Sequence, residues 1–139
     1  MRPSAAQSLR YLWALPNTIL GLGLAALAGA TGGRVRVVDG VLEAEGGWIG
    51  PLLRHAVPLD GGAAAMTLGH VVLGRDASAL VATRSHERVH VRQCERWGPA
   101  FLPAYCAASI GALLRGRHPY HGNAFEQAAC RGEAVAAAR

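Results

Sequence analysis

The chain has 139 residues, of which 51% are hydrophobic and 17% charged; this is enough for one folded domain and excludes a disordered tail. All 14 basic residues are arginine, and the formal net charge is +5. Without lysine there is no lysine-rich nucleic-acid arm, and no nucleic-acid partner is expected. The cysteines number three, an odd count without a C-x-x-C pair, which argues against a disulfide framework.

The N-terminal part of the chain is strongly apolar. Residues 11–30 carry no charge and have arginines on both sides. A helix of this length spans about 30 Å, the thickness of a bilayer's hydrocarbon core, so residues 1–33 are interpreted as a membrane-seeking segment. A single span, a cleaved signal sequence, and a buried or interfacial helix over residues 18–30 all remain open.

Residues 34–139 are predicted to form the folded domain, which begins with β-structure. Two alternating runs around Asp39-Gly40 predict a hairpin with strands at 34–38 and 41–45, because a type I′ turn needs positive φ angles. Residues 46–65 are expected to be a loop with one helical turn. The aliphatic residues 65–74 predict a third strand.

The second half of the domain is predicted to be helical. Asp76 as N-cap and Gly98-Pro99 as terminator delimit a helix over 77–97. The uncharged residues 100–114 are too few to span a bilayer and predict a buried or re-entrant helix from 104 to 114. A last helix is expected over 124–138. The predicted fold is α+β, with a small antiparallel sheet of about three strands packed on these helices.

The motif that carries chemistry is H-E-x-x-H at His86, Glu87 and His90, inside the helix over 77–97. Two imidazoles four residues apart lie one helical turn above each other and can occupy adjacent corners of a zinc tetrahedron. The intervening glutamate can then act as general base. The alternative is a surface helix that carries these residues by chance.

A zinc hydrolase needs a third protein ligand, and several residues after the motif have suitable side chains. The candidates are Cys94, Glu95, His118, His121, Glu126 and Glu133. Cys94 and Glu95 lie about 12 Å along the helix from His86, too far to share one ion with it. Glu126 is also three residues after Asn123, the spacing of a helix capping box, so its role as ligand or as cap remains open.

The segments HERVHVRQ, PAY and NAFEQAA together resemble a family of small bacterial membrane-associated gluzincin-type metallopeptidases, in which H-E-x-x-H-x-x-Q precedes N-P-F-E-x-E-A. The segments LRYLWALPNT and GHVVLGRD extend the resemblance over most of the chain. The resemblance implies that His86, His90 and Glu126 bind Zn²⁺ and that Glu87 is the general base. It also implies a location at the bacterial cytoplasmic membrane, or export after signal cleavage.

Three positions depart from the family pattern. Ala124 stands where proline is usual, and Ala128 where glutamate is usual. Cys130 stands where larger gluzincins carry an acidic residue that orients the first histidine, so the sequence leaves the group that orients His86 unidentified.

The expected function is zinc-dependent hydrolysis of peptide bonds. The strand over 67–74 would border the cleft and bind an extended peptide, and Glu87 would take the proton from the attacking water. His70 and Tyr120 are the first candidates to stabilise the oxyanion, before Tyr105 and His121. The alternative is a non-catalytic membrane-associated metal-binding or scaffold protein that retains the motif. The oligomeric state stays open.

The motif helix also carries an arginine stripe, at every fourth residue and about 200° around the helix from the histidines. It consists of Arg84, Arg88, Arg92 and Arg96. A solvated face or contact with anionic lipid headgroups explains such a stripe. Nucleic-acid binding is a third, less favoured explanation, because no interleaved aromatic residues or known binding motif accompany the stripe.

Overall fold

The computed structural model describes residues 3–57 and 59–139 and has a mixed α+β fold. Helices pack around one four-stranded sheet with the strand order β1-β2-β4-β3. The elements in chain order are α1 (Ala5–Trp13), α2 (Leu15–Ala30), β1 (Arg34–Val38), β2 (Val41–Glu45), α3 (Ile49–His55), β3 (Ala65–Leu68), β4 (Val71–Gly74), α4 (Ala77–Trp97), a 3₁₀ turn (Gly98–Ala100), α5 (Phe101–Leu114) and α6 (Ala124–Ala137).

The predicted hairpin is confirmed with its boundaries. Strands β1 and β2 pair antiparallel from Arg34 opposite Glu45 to Val38 opposite Val41. Asp39 and Gly40 have φ angles of 50° and 77°, the left-handed pair that a type I′ turn requires.

The prediction of one strand over 65–74, and with it a three-stranded antiparallel sheet, is wrong. The segment forms two antiparallel strands, β3 and β4, because Gly69 takes a φ of 64° and reverses the chain. Strand β4 lies parallel to β2, so the sheet is mixed. The loop expected over 46–65 contains α3, a helix of 7 residues rather than a single turn.

The N-terminal segment is not one straight helix. Helices α1 and α2 are bent by 69°. The cause is Pro16, which has no N–H to donate and whose ring would clash with the carbonyl of Leu12 in a continuous helix. One face of α2 packs on the sheet through the buried residues Gly21, Ala25 and Ala28. Asn17, at the start of the same helix, donates instead to Gly98 O at 2.9 Å.

Among the described residues, the continuous helical stretch that is long and apolar enough to cross a membrane is Ala77–Leu114, by length and composition alone. In the N-terminal segment, where a span was expected, α1 and α2 meet the same criterion only when the two bent helices are taken together as one broken span. The apolar part of the stretch Ala77–Leu114 is α5, which begins at Phe101, three residues before the expected start at 104.

Helix α4 occupies the centre of the molecule, between the sheet and α6. Its buried face carries both motif histidines and Glu87, together with Leu80, Val89, Val91 and Cys94. Gly132 of α6 lies against Val89, where an added Cβ would come within 2.6 Å of a valine methyl. This close approach brings the N-terminal turn of α6 to the H-E-x-x-H motif.

Candidate metal centre and cleft

Three side chains from two helices converge at the motif. The Nε2 atoms of His86 and His90 lie 3.2 Å apart. The Glu126 carboxylate approaches both rings, with Oε2 at 2.9 Å from His86 Nε2 and Oε1 at 3.2 Å from His90 Nε2. All three residues are buried.

This buried group can hold a metal ion. Neighbouring ligand atoms of a tetrahedral zinc site, each about 2.0–2.1 Å from the ion, are separated by about 3.3 Å. The separations of 2.9–3.2 Å between the three side chains are close to that edge length. Two neutral imidazoles and one carboxylate are also a ligand set that divalent transition metals accept.

The two roles left open for Glu126 are resolved by its contacts. Asn123 caps α6 alone, because its side-chain oxygen accepts a hydrogen bond from Phe125 N at 2.9 Å. The Glu126 carboxylate is directed instead to the two histidines and to Tyr105, whose hydroxyl donates a hydrogen bond of 2.5 Å to Oε1. Glu126 is therefore part of the histidine cluster and does not complete a capping box.

The second nitrogen of each histidine also has a partner, which leaves Nε2 directed into the cluster. His90 Nδ1 donates to Gln93 Oε1 at 2.8 Å, and the Gln93 amide donates to Phe125 O in α6 at 3.0 Å. His86 Nδ1 lies 3.4 Å from Glu133 Oε2. Glu133 is therefore the acidic partner of His86 that the sequence left unidentified, whereas Cys130 is exposed.

Electrostatics within the cluster follow from burial and from the central carboxylate. The hydrogen bond to Glu126 raises the pKa of His86. Burial acts to lower the pKa of His90, but Glu126 outweighs it and the pKa is raised. Burial likewise acts to raise the pKa of Glu126, yet the bonds from both histidines and Tyr105 hold it well below its usual value.

Glu87 lies beside the cluster and is held from the sheet. The Thr67 hydroxyl, on β3, lies 2.7 Å from Glu87 Oε2 and donates to it. Burial raises the pKa of Glu87, against the opposing effects of the neighbouring His90 and of the bond from Thr67. The sequence gives no indication of this role for Thr67, because no local motif connects it to a glutamate twenty residues away.

The cluster opens into a cleft of about 670 Å³. One wall is β3, the edge strand of the sheet, and the opposite wall is formed by α5, the loop before α6, and α6. Much of the lining is apolar, including Met66, Leu68, Phe101 and Leu102.

The candidate oxyanion donors are divided between two regions. Tyr105, Tyr120 and His121 line the cleft. Burial first, and then the Glu126 charge, raise the pKa values of both tyrosines, so their hydroxyls stay protonated. His70 does not line this cleft, so we no longer consider it a candidate oxyanion donor. Its ring follows Gly69 in the β3-β4 turn, stacks on Tyr11 and lies 2.9 Å from Glu95 Oε1.

The arginine stripe is only half exposed. Arg84 and Arg88 bind Glu43 of β2, which is 2% exposed and also contacts Arg36. The hydrogen bond from Arg84 lowers the pKa of Glu43 most, against a smaller opposing effect of burial. The expectation of a wholly solvated or lipid-facing stripe is therefore wrong for these two residues, because a sheet carboxylate compensates them.

Comparison of the chain with protein-family models, curated proteins and solved structures finds no match.

Proposed function

We propose that this protein is a membrane-associated zinc metallopeptidase with a minimal cleft. The observation that carries the proposal is the convergence of His86, His90 and Glu126 beside Glu87, a buried carboxylate that lies outside the ligand set. A site that only stored a metal would have no use for a second carboxylate held next to the ligands at the floor of an open cleft.

The ligand set favours zinc, which accepts two imidazoles and a carboxylate and leaves one position open in catalytic sites. When bound, zinc supplies polarisation of the substrate carbonyl and lowers the pKa of water. Glu87 accepts the proton of the attacking water and passes it to the leaving amine. Thr67 fixes the Glu87 carboxylate, and Tyr120 supplies an O–H donor for the developing negative charge.

The substrate in this proposal is an extended peptide. Strand β3 pairs with β4 along one edge only, which leaves its other edge to bind substrate backbone by strand addition. Of the rim expected over 67–74, only residues 67 and 68 belong to β3, so the proposed substrate-binding edge is Ala65–Leu68 instead. The apolar lining next to it favours substrates with large apolar side chains.

Membrane association rests on exposed apolar side chains, because patches of this kind mark lipid or protein interfaces. They lie on α1, α2 and α5: Leu9, Leu12, Trp13, Leu15, Ile19, Leu20, Leu22, Leu27, Ile110, Leu113 and Leu114. We favour an interfacial position for α1, since it is amphipathic and has no buried residue.

Metal analysis tests the ligand set. The purified protein should contain about one zinc per chain, and His90→Ala and Glu126→Ala should each lose it. His55→Ala, in an exposed histidine at the end of α3, is the matched control and should retain zinc. Full zinc content in both ligand variants would contradict the site.

Cleavage of a peptide library tests catalysis. Glu87→Gln should keep its zinc and lose cleavage by at least about 100-fold, because general base catalysis typically contributes that much. Zinc in the wild type without any cleavage would favour the metal-binding alternative. Undiminished cleavage in Glu87→Gln would exclude the proposed mechanism.

Vesicle sedimentation tests the membrane proposal. The double variant Ile110→Ser/Leu114→Ser should bind vesicles several-fold more weakly than the wild type, because two exposed apolar side chains of α5 are lost. Val37→Ser/Val135→Ser removes two exposed apolar side chains outside α5, which are 71% and 55% exposed, and should bind as the wild type does. Equal losses in both would contradict a role for α5.

A further inference from the structure

A second pocket, of about 560 Å³, lies on the side of α4 opposite to the metal cluster. It is formed by α1, the β1-β2 turn, the β3-β4 turn and one side of α4, including Arg88 and Arg92 of the arginine stripe. Its charged and aromatic lining consists of Arg10, Tyr11, Asp39, His70, Arg88, Arg92 and Glu95. None of these residues has a part in the proposed catalytic site.

Three arginines and two carboxylates line the pocket, so arginine is in excess by one: Arg10, Arg88, Arg92, Asp39 and Glu95. Arg10 and Arg92 are exposed, and within the described residues neither makes a side-chain hydrogen bond or ion pair. Glu95 is held by His70 at 2.9 Å. Arg88 shares the single carboxylate of Glu43 with two other arginines, so that carboxylate is not available to the pocket.

The aromatic part of the lining is held in place by its contacts. The Tyr11 and His70 rings stack, with 4.0 Å between the ring centroids. His70 Nε2 also lies 2.9 Å from Glu95 Oε1. This side of the pocket is therefore ordered by stacking and by a polar contact.

We propose that this pocket binds a phosphate ester, namely the headgroup of an anionic lipid. Phosphate oxygens match guanidinium donors from several directions, and Arg10 and Arg92 supply such donors from two different helices. The volume exceeds that of a bare phosphate ion and leaves room for the alcohol part of a headgroup.

The position of the pocket on α1 supports the lipid as the source of the phosphate. Leu9, Leu12 and Trp13 of this helix are 51–67% exposed, whereas Gln7, Arg10 and Tyr11 line the pocket. An interfacial helix of this kind buries its apolar side at the acyl boundary and keeps its polar side at headgroup depth.

The test compares two double variants with the same change in charge. Arg10→Gln/Arg92→Gln removes the pocket donors, and Arg54→Gln/Arg131→Gln removes two exposed arginines outside the pocket. Melting temperatures confirm that both variants fold. Inorganic phosphate is titrated calorimetrically into the full chain in neutral detergent, and binding is measured to vesicles of phosphatidylcholine with or without phosphatidylglycerol.

The pocket variant should lose saturable phosphate binding. Its preference for vesicles that contain phosphatidylglycerol should fall about 30-fold, because each arginine contributes about fivefold. The control variant should keep its phosphate affinity and its vesicle preference to within about twofold, because salt screens charges that lie far from the pocket. Specific loss of phosphate binding with an unchanged vesicle preference would identify free phosphate as the ligand and overturn the lipid. Equal behaviour of the two variants in both assays would overturn the site itself. Neither outcome depends on zinc or on peptide cleavage.

Discussion

Thr67 links the edge strand to the general base. Its hydroxyl lies 2.7 Å from Glu87 Oε2 and 3.3 Å from the Glu87 carbonyl oxygen. Because Glu87 is 5% exposed, few other donors can reach its carboxylate. The orientation of the base therefore depends on one hydrogen bond from the wall that is proposed to bind substrate.

Replacement of Thr67 by valine keeps the shape of the side chain and removes this bond. We expect peptide cleavage to fall by about tenfold, the equivalent of roughly 1.4 kcal/mol, with unchanged zinc content. Thr83→Val is the control, because the Thr83 hydroxyl also borders the cleft but donates to the backbone of its own helix at Ala79 O. Equal rates for the two variants would show that Thr67 does not position the base.

Glu133 is expected to orient His86 through Nδ1, at a distance of 3.4 Å. Glu133→Gln should weaken zinc binding by about tenfold, the lower end of the range for groups behind a metal ligand, because its side chain is 43% exposed. Competition with a chelator measures this. Glu95→Gln changes a glutamate that pairs with His70 outside the cluster, and zinc affinity should not change. A wild-type affinity in Glu133→Gln would refute the assignment.

At the scale of elements, small residues determine how closely helices approach the sheet and one another. Gly21 of α2 lies over β4, where an added Cβ would come within 2.6 Å of Val71 Cβ and 2.9 Å of Leu68 O. Gly23, two residues along the same helix, has open space around the corresponding position. A comparison of alanine substitutions at the two glycines therefore distinguishes the effect of packing from the effect of helix propensity.

Gly21→Ala should destabilise the protein by about 1–3 kcal/mol, because α2 must move away from β4. Gly23→Ala should be neutral or stabilising by up to about 1 kcal/mol, since alanine favours the helix and meets nothing. Chemical unfolding in detergent measures both. Equal effects of the two substitutions would contradict close packing of α2 on the sheet.

At the scale of the whole molecule, arginine is in excess over carboxylates, and Glu43 is one of the carboxylates that compensate it. This carboxylate faces three guanidinium groups and connects β2 to α4. Its side chain is 2% exposed, so the interaction is screened less than one on the surface. Unfolding would return the carboxylate to water, where its ordinary pKa applies.

The contribution of Glu43 to stability should depend on pH. Because its pKa is lowered in the folded protein, the contribution is complete above the ordinary value of 4.5 and is lost as pH falls through the folded pKa. At neutral pH, Glu43→Gln should lower the free energy of unfolding by about 2–3 kcal/mol, and this difference from wild type should shrink as the pH falls below the ordinary pKa of 4.5.

Unfolding curves at a series of pH values measure this difference. Asp60→Asn, at an exposed carboxylate, is the control and should differ little from wild type at any pH. A Glu43→Gln effect that stays constant with pH would contradict the role of the carboxylate charge.

Several features were predictable from the sequence because their causes are local. The Asp39-Gly40 turn, the Asp76 cap and the i, i+4 spacing of His86 and His90 each act within a few residues. Glu133 was accessible by the same reasoning, since it lies two helical turns after Glu126 and so on the same face of α6.

The remaining features depend on residues that are distant in the chain. The packing of α4, α6 and the sheet decides whether Glu126 caps its own helix or joins the histidines. The same packing decides which pocket His70 lines and which carboxylate compensates Arg84. The sequence by itself determined the chemical groups and their local spacing. The tertiary structure alone decided which of them meet, because such contacts depend on packing between elements and have no local sequence signal.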